Sequence, residues 1–262
     1  MYPSFRLGPW RFSTYSTIYA LALILVGMLA FHRLRRIPEP PGQVMRVLLA
    51  AILGGIAGTY LVGIIPSMQH FARTGNVVWA GSASFVGTLA GGTAAAVLVR
   101  RGEPTPLGRV LDLGGLPWPL LQALGRIGCL GAGCCYGRPT DSSLGMWLPD
   151  PAGQWAMRYP TQIMSGVANL LIFGLLLAVE RYGQKRVGKD RGWPFDGFLF
   201  LLYIGLFCVE RFTMEWLRGD AIPLLGPLSW VHLATLVGLA AVIVIMARQF
   251  ARFRRTAPLR SC

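Results

Sequence analysis

Apolar residues dominate this chain in seven runs, which centre on residues 14–31, 47–65, 79–98, 111–132, 163–180, 195–216 and 227–247. Each is close to the ~20 residues that a helix needs to cross ~30 Å of hydrocarbon. A span in lipid must satisfy its own backbone hydrogen bonds, so uninterrupted runs of this length favour helices over barrel strands. The pattern predicts an all-α, polytopic integral membrane protein of seven transmembrane helices, forming a single transmembrane helical domain over residues 1–262. No soluble domain, low-complexity tract or clear internal repeat interrupts it. Composition agrees, with 53% hydrophobic and 14% charged residues and a mean hydropathy of +0.50. The first run ends in FHRLRR and not in a small-residue cleavage site, so span one is expected to remain in the mature protein.

The 33 glycines fit close helix packing in lipid. Gly54, Gly55 and Gly58 share one face of span two, and Gly87, Gly91 and Gly92 make a patch on span three. The net charge of +14 does not point to nucleic acid once its placement is read. Arg33, Arg35, Arg36 and Arg46 follow span one; Arg100, Arg101 and Arg109 follow span three. Arg181, Lys185, Arg186, Lys189 and Arg191 follow span five, and Arg248, Arg252, Arg254, Arg255 and Arg260 follow span seven. Most of the 25 Lys and Arg residues thus lie on alternate connections, which puts the N-terminus outside and the C-terminus in the cytoplasm. The same residues attract anionic lipid headgroups.

Two polar islands fall at the outer side in this topology. The first is GRIGCLGAGCCYGRPT, residues 125–140, at the outer half of span four. An arginine at depth costs at least ~2.5 kcal/mol on insertion scales and usually faces a polar cavity or a partner, so Arg126 marks a site. The surrounding glycines suit either close helix packing or approach of a ligand to the backbone. The second island is CVERFTMEWLRGD, residues 208–220, where Arg211, Glu215 and Arg218 lie at i, i+4 and i+7 and are expected to share a helical face. Together the islands leave a surplus of positive charge outside, and the planar arginine fork suits phosphate oxygens. RYPTQ, residues 158–162, brings Gln162 into span five near the first island.

In this order and on these spans, the residues resemble the prolipoprotein diacylglyceryl transferase family, seven-span enzymes of the bacterial inner membrane. The resemblance rests on Gly8-Pro9 and Tyr15, Ser84-Phe85 with Gly87, and Gly125-Arg126 with Gly128 and Gly133. It continues with Tyr136-Gly137-Arg138, Pro160 with Gln162, and Arg211, Glu215 and Arg218. It implies transfer of the diacylglyceryl group of phosphatidylglycerol to the lipobox cysteine of a secreted preprotein at the outer leaflet, with release of glycerol phosphate. Arg126 and Arg211 would bind the phosphate and stabilise its developing charge, Tyr15 would stand near the headgroup, and Glu215 would orient Arg211 or Arg218. Gly128, Gly133, Gly137, Arg138, Gln162 and Arg218 would join Arg126 around the substrate. The implied partners are phosphatidylglycerol, membrane lipid and a lipobox preprotein; the protein is expected to be a monomer that binds no nucleic acid.

The chain departs from the family pattern at four places. Val86 and Tyr159 stand where the family carries histidines, Cys129 where it carries an asparagine, and Cys134 where it carries an acidic residue. Of the five cysteines, Cys129, Cys134 and Cys135 open three readings: small buried hydrophobes with weak S–H donors, thiol chemistry beside a guanidinium, or a metal site. C-x4-C-C lacks the two-pair spacing of a structural zinc site, and His32, His70 and His232 are remote in sequence, so neither a metal nor a cofactor is expected. A membrane thiol or redox protein, and a phospholipid-binding paralogue without catalysis, are the alternatives to the transferase.

The orientation is directly testable. A reporter fused after Arg255 should be active only in its cytoplasmic form, and one inserted near Asp150 only in its external form; the reverse pattern overturns the charge-derived topology.

Overall fold

The computed structural model describes residues 4–8, 10–34, 40–75, 85–99, 106–150, 153–188, 192–221 and 223–256. Pro9, Ser84, Arg35, Arg36, Arg100, Arg101, Lys189, Arg191, Arg260 and Cys262 lie outside the described residues, as do the side chains of His70, Phe85 and Val86. The elements in chain order are β1 (Ser4–Leu7), β2 (Trp10–Ser13), α1 (Thr14–Leu34), α2 (Pro41–Thr74), α3 (Phe85–Val99), α4 (Leu107–Gly115) and α5 (Trp118–Ala132). They continue with β3 (Met146–Pro149), β4 (Trp155–Arg158), α6 (Thr161–Val187), α7 (Phe198–Glu215), β5 (Pro223–Leu225), β6 (Leu228–Ser229) and α8 (Trp230–Thr256). The protein is mostly helical, and the chain divides into two compact units, residues 34–111 and residues 1–33 with 112–262.

Among the described residues, four helices are long and apolar enough to cross a membrane: Thr14–Arg33, Gly42–Leu61, Thr161–Val187 and Trp230–Arg254. Their exposed leucines, isoleucines and valines, such as Leu21, Leu53, Leu171 and Val237, would be unaccountable in water and are the expected outer surface in lipid. α7 has 18 residues but carries Glu210, Arg211 and Glu215.

The predicted continuous span over 111–132 is corrected by the structure to two helices, α4 and α5. Pro117 caps α5 and Pro119 sits in its first turn. Proline lacks the N–H that a continuing helix needs, yet its fixed φ suits a helix start. α5 is then only 15 residues, ~22 Å at 1.5 Å per residue, which is shorter than the hydrocarbon thickness. The irregular chain that follows it must be covered by protein or line a cavity if it lies at membrane depth.

In the unit of residues 34–111 the two predicted glycine faces meet each other. A Cβ on Gly58 would run into the Gly87 carbonyl and lie 3.0 Å from Gly91 Cα, and one on Gly92 would lie 2.8 Å from the Ala51 carbonyl oxygen. The backbones of α2 and α3 therefore touch, with the Thr59 and Thr88 hydroxyls hydrogen-bonded at 2.5 Å. Backbone contact of this kind supplies dispersion where lipid offers no hydrophobic driving force.

In the other unit, α5 packs against α6 and α7 packs against both α6 and α8. Arg33 near the end of α1 forms a two-pronged ion pair with Glu180 of α6. Asp112 of α4 accepts from the N–H groups of Gly197 and Phe200 at 2.8 and 2.9 Å, satisfying orphan donors at the start of α7. Among the described residues, three antiparallel hairpins were not anticipated from hydropathy: β1–β2 before α1, β3–β4 between α5 and α6, and β5–β6 between α7 and α8. The second carries exposed Trp147 and Trp155, the residue type that settles at a membrane–water interface.

The glycine contact yields a test by thermal unfolding in detergent. Gly58→Val should destabilise the protein by about 3 kcal/mol, the upper range for overpacking. Gly42→Ala, at a position with nothing within 4 Å of the added carbon, should unfold like the parent.

Candidate active site

The first island is shaped by how α5 ends. Gly133 takes a left-handed conformation (φ 76°), its N–H donates to Leu130 at 3.4 Å, and the Cys134 N–H reaches back to the Cys129 carbonyl at 3.2 Å. These two bonds make a Schellman cap, which glycine closes without a steric penalty. Cys135 is also left-handed, at φ 58°. For a residue with a Cβ this costs on the order of 1 kcal/mol, so the surroundings must hold the turn. They do: Thr161 Oγ1 donates to the Cys135 carbonyl at 2.8 Å and Gln162 Nε2 to the Cys134 carbonyl at 2.9 Å.

The chain beyond the cysteines is threaded between two others. Arg138 N–H donates to Leu217 at 2.9 Å, Gly219 N–H to Tyr136 at 2.9 Å, and Tyr159 N–H to Arg138 at 3.2 Å. Gly137 is required here, since any Cβ would strike the Tyr159 carbonyl. Arg158 is buried, paired with Asp150 at 3.0 Å and placed over the Tyr136 ring at 5.2 Å.

α1 lies on the glycine face of α5. A Cβ on Gly128 would come within 3.2 Å of Tyr15, one on Gly131 within 3.0 Å of Thr14, and one on Gly125 within 3.5 Å of Tyr19. Tyr15 stacks on Tyr19 at 5.7 Å and stands close enough to Cys129, Cys134 and Cys135 to interact electrostatically with each. The three sulfur atoms all lie within 4.8 Å of one another and none is in a disulfide.

The cations divide into compensated and uncompensated. Arg218 is held by Asp220 through two bonds, at 2.8 and 2.6 Å. Arg211 pairs with Glu215 at 3.0 Å, but its Nη1 is buried without a hydrogen-bond partner. Glu215 in turn accepts from Ser229 Oγ at 2.9 Å, and Ser229 N–H donates to His232 Nδ1 at 3.0 Å. His232 is clamped between Phe212 and Trp216. Arg126 has no hydrogen-bond or ion-pair partner among the described residues, and its Nε is buried. Arg126 and Arg218 both lie within electrostatic reach of Arg211, with Glu210 and Glu215 as the nearby acids.

A cavity of about 210 Å³ opens between α5 and α6, lined by Leu124, Leu130, Ile163 and Val167 with Arg126 and Gln162 as its polar members. Gly166 keeps α6 low beside the stem of Arg126. An apolar groove with one unpaired guanidinium at its side matches an amphiphile that carries an acyl chain and an anionic head.

The structure brings together Arg126, Arg211, Arg218, Tyr15, Glu215, Cys129, Cys134, Cys135 and Gln162. One expectation needs correction. Arg218 does not share a helical face with Arg211, because α7 ends at Glu215 and Arg218 lies in the turn beyond, bridged to Gly137. Of the two arginines expected near Glu215, Arg211 is the one paired with it, and Asp220 holds Arg218. Gly128 lies under Tyr15, Gly133 closes the helix cap and Gly137 packs against Tyr159. Arg138 sits at the exposed rim with its guanidinium 5.9 Å from the Tyr159 ring centroid. Sequence reading missed Ser229 and His232 behind Glu215, and Glu210, which is buried and accepts from Ser165 at 2.5 Å. The acid Glu210 inside an apolar run was the available signal; nothing local marked the other two.

Comparison with known proteins bears on this site. The profile of the family described as prolipoprotein diacylglyceryl transferase matches residues 3–248. A phosphatidylglycerol–prolipoprotein diacylglyceryl transferase of Clostridium tetani is 28% identical over 256 residues, covering 96% of this chain and 98% of that relative. The protein of the same name from a Nostoc species is 25% identical over 95% of this chain and 89% of its own length. Phosphatidylglycerol–prolipoprotein diacylglyceryl transferase 2 of Clostridium perfringens is 37% identical over 49% of this chain and 50% of its own. The ordered motifs, the arginine-lined apolar groove and a family match over nearly the whole length converge: this chain belongs to the prolipoprotein diacylglyceryl transferase family.

Proposed function

We propose that this protein transfers the diacylglyceryl group of phosphatidylglycerol to the cysteine thiol of a lipoprotein precursor. It does so as a monomer at the outer leaflet of the bacterial inner membrane, as one multi-pass domain of seven spans with the N-terminus outside and the C-terminus in the cytoplasm. Family membership and the names of the relatives support the reaction; the alternating basic residues support the orientation. The observation that carries the reading is Arg126, a guanidinium without a counter-ion among the described residues, beside an apolar groove.

The groove between α5 and α6 takes an acyl chain and Arg126 takes the phosphate. The buried, unpaired Nη1 of Arg211 supplies a second donor, aimed by Glu215, which accepts from Ser229, itself bonded to His232. As the thiol sulfur attacks the glyceryl carbon and the C–O bond breaks, negative charge accumulates on the leaving phosphate. Fixed cations positioned before the reaction stabilise that charge without reorganisation. Gln162 steadies the cysteine turn through its Nε2, its Oε1 is buried without a partner, and the residue helps to line the groove.

The direct test is incubation of the purified protein with labelled phosphatidylglycerol and a lipobox peptide, followed by mass analysis of the peptide; an unmodified peptide overturns the reading. Arg126→Ala should reduce turnover by ~10² or more, the worth of one pre-positioned charge donor. Arg126→Lys should rescue poorly, since a point charge cannot reproduce bidentate contact. Glu215→Gln should lower kcat by about tenfold, ~1.4 kcal/mol of transition-state stabilisation, with phosphatidylglycerol binding less affected, because Arg211 keeps its charge and loses its aim.

A further inference from the structure

The proposed reaction needs a thiolate, since a neutral thiol attacks carbon poorly, and the two positions where the family resemblance places a histidine are Val86 and Tyr159. What the chain has instead is a cluster of three thiols beside the cations that would hold the phosphate. We propose that Cys129, Cys134 and Cys135 form a three-thiolate zinc site whose open fourth position takes the acceptor cysteine of the lipoprotein precursor. This rests on the transferase reading above and adds a metal to it.

Geometry comes first. The three sulfur atoms lie within 4.8 Å of one another. Zinc–sulfur bonds of ~2.3 Å place the thiolates of a tetrahedron ~3.8 Å apart, so the sulfurs need to approach one another by about 1 Å at most. No fourth His, Cys, Asp or Glu joins the group among the described residues. Three protein ligands and one open position is the arrangement of a catalytic zinc site, where a structural site uses four.

The fold also holds the cluster at a cost that packing alone would not require. Cys135 is kept left-handed, and the carbonyls of Cys134 and Cys135 are both tied down by the first turn of α6. Cys129 is buried at the base, while Cys134 and Cys135 are partly exposed. A disulfide would use only two of these sulfurs and leave the third unused; between adjacent Cys134 and Cys135 it would also require an unfavourable Cα separation.

Charge is the third support. Zinc with three thiolates carries −1, and a fourth thiolate makes it −2. Cys135 lies in the field of Arg218 and Arg126, so two guanidiniums face this negative charge. The spacing C-x4-C-C argued against metal because it lacks two sequence-local pairs, but the turn at Gly133 and Cys135 supplies in space what the spacing does not show.

The step balances without an oxidant or reductant. The acceptor thiol binds zinc and its proton passes to external water, because a thiol coordinated to zinc is deprotonated. The metal-held sulfur forms a bond to the glyceryl carbon as the carbon–oxygen bond to phosphate breaks. The electron pair of that bond leaves with glycerol phosphate beside Arg126 and Arg211, and the neutral thioether product, a weaker ligand, departs from the metal. Metal coordination is one of the recognised ways of activating a nucleophile.

The test uses the full-length protein in detergent. Elemental analysis should find one zinc per chain in the parent and background levels in Cys129→Ser and Cys135→Ser, while Cys208→Ser, outside the cluster, keeps its metal. Exchanged with Co(II), the parent should show sulfur-to-cobalt charge-transfer absorption and tetrahedral visible bands. A lipobox peptide should strengthen the charge-transfer band, and the same peptide with serine for its cysteine should not. Chelation, which needs no substitution, should lower turnover by ~10² or more, the worth of lost proton removal, and zinc should restore it. Full turnover by metal-free protein overturns the zinc site and leaves the transferase standing. So does a cobalt spectrum indifferent to the peptide thiol, or a native disulfide that includes Cys129. Entry of the peptide thiol into the cobalt sphere with no transfer from phosphatidylglycerol upholds the site and overturns the transferase.

Discussion

A guanidinium placed in an apolar bundle without a carboxylate of its own sets the terms for the rest of this protein. Burying a charge costs several kcal/mol unless it is paired or hydrogen-bonded, and Arg126, half-buried with its Nε enclosed, has neither kind of partner among the described residues. Its two cationic neighbours are treated differently: Arg218 is matched by Asp220 and Arg211 by Glu215. The unit therefore spends its acids on the flanking arginines and leaves the one beside the groove open to an anion. A neutral Arg126 pair would pack more cheaply and bind nothing.

The termination of α5 follows from that requirement. Prolines 117 and 119 start the helix late, and the Schellman cap at Gly133 ends it early. The short helix turns the chain back on itself beside Arg126, and Gly137 lets the next segment press against Tyr159. Backbone polar groups cannot be left bare in hydrocarbon, and each exposed carbonyl of the cysteine turn has its donor in Thr161 or Gln162. The same bonds that satisfy the backbone fix where the three sulfurs sit, so the structural need and the chemical opportunity come from one turn.

Behind the arginines lies a polar layer made by helices that pack through apolar faces. Glu215, Ser229 and His232 form a chain in which each group holds the next. Ser165, Glu210 and Asn169 form a second, between α6 and α7. These bonds tie Glu215 and Glu210 to neighbouring elements, while Glu210 Oε2, Asn169 Oδ1 and His232 Nε2 are buried without a hydrogen-bond partner; a Glu215 held in place keeps Arg211 aimed, which electrostatic stabilisation of a leaving phosphate requires. The glycine contact of α2 and α3 meets a related demand by other means, with bare backbone in place of hydrogen-bonded side chains.

Hydropathy made the helical, membrane-embedded class legible, because transfer from water to lipid is nearly a sum over residues and needs no knowledge of neighbours in space. The glycine faces of α2 and α3 were legible for the same reason: a missing side chain is a local property. Arg126, Arg211, Glu215, Tyr15 and Gln162 could be singled out by residue type and order. The division of span four was readable in principle from Pro117 and Pro119, since the missing N–H is also local. Other features had no local sign. That Arg218 leaves the helix and turns to Asp220 depends on where α7 stops. That Glu215 meets Ser229, 14 residues away, and Glu210 meets Ser165, 45 residues away, depends on how helices pack. The gathering of Cys129, Cys134 and Cys135 depends on two left-handed residues held by bonds from α6. Hydrophobic partitioning is additive and short-ranged in sequence, so the chain alone determined it; ion pairing and thiol proximity act over a few ångströms between distant segments, so only the tertiary structure could decide them.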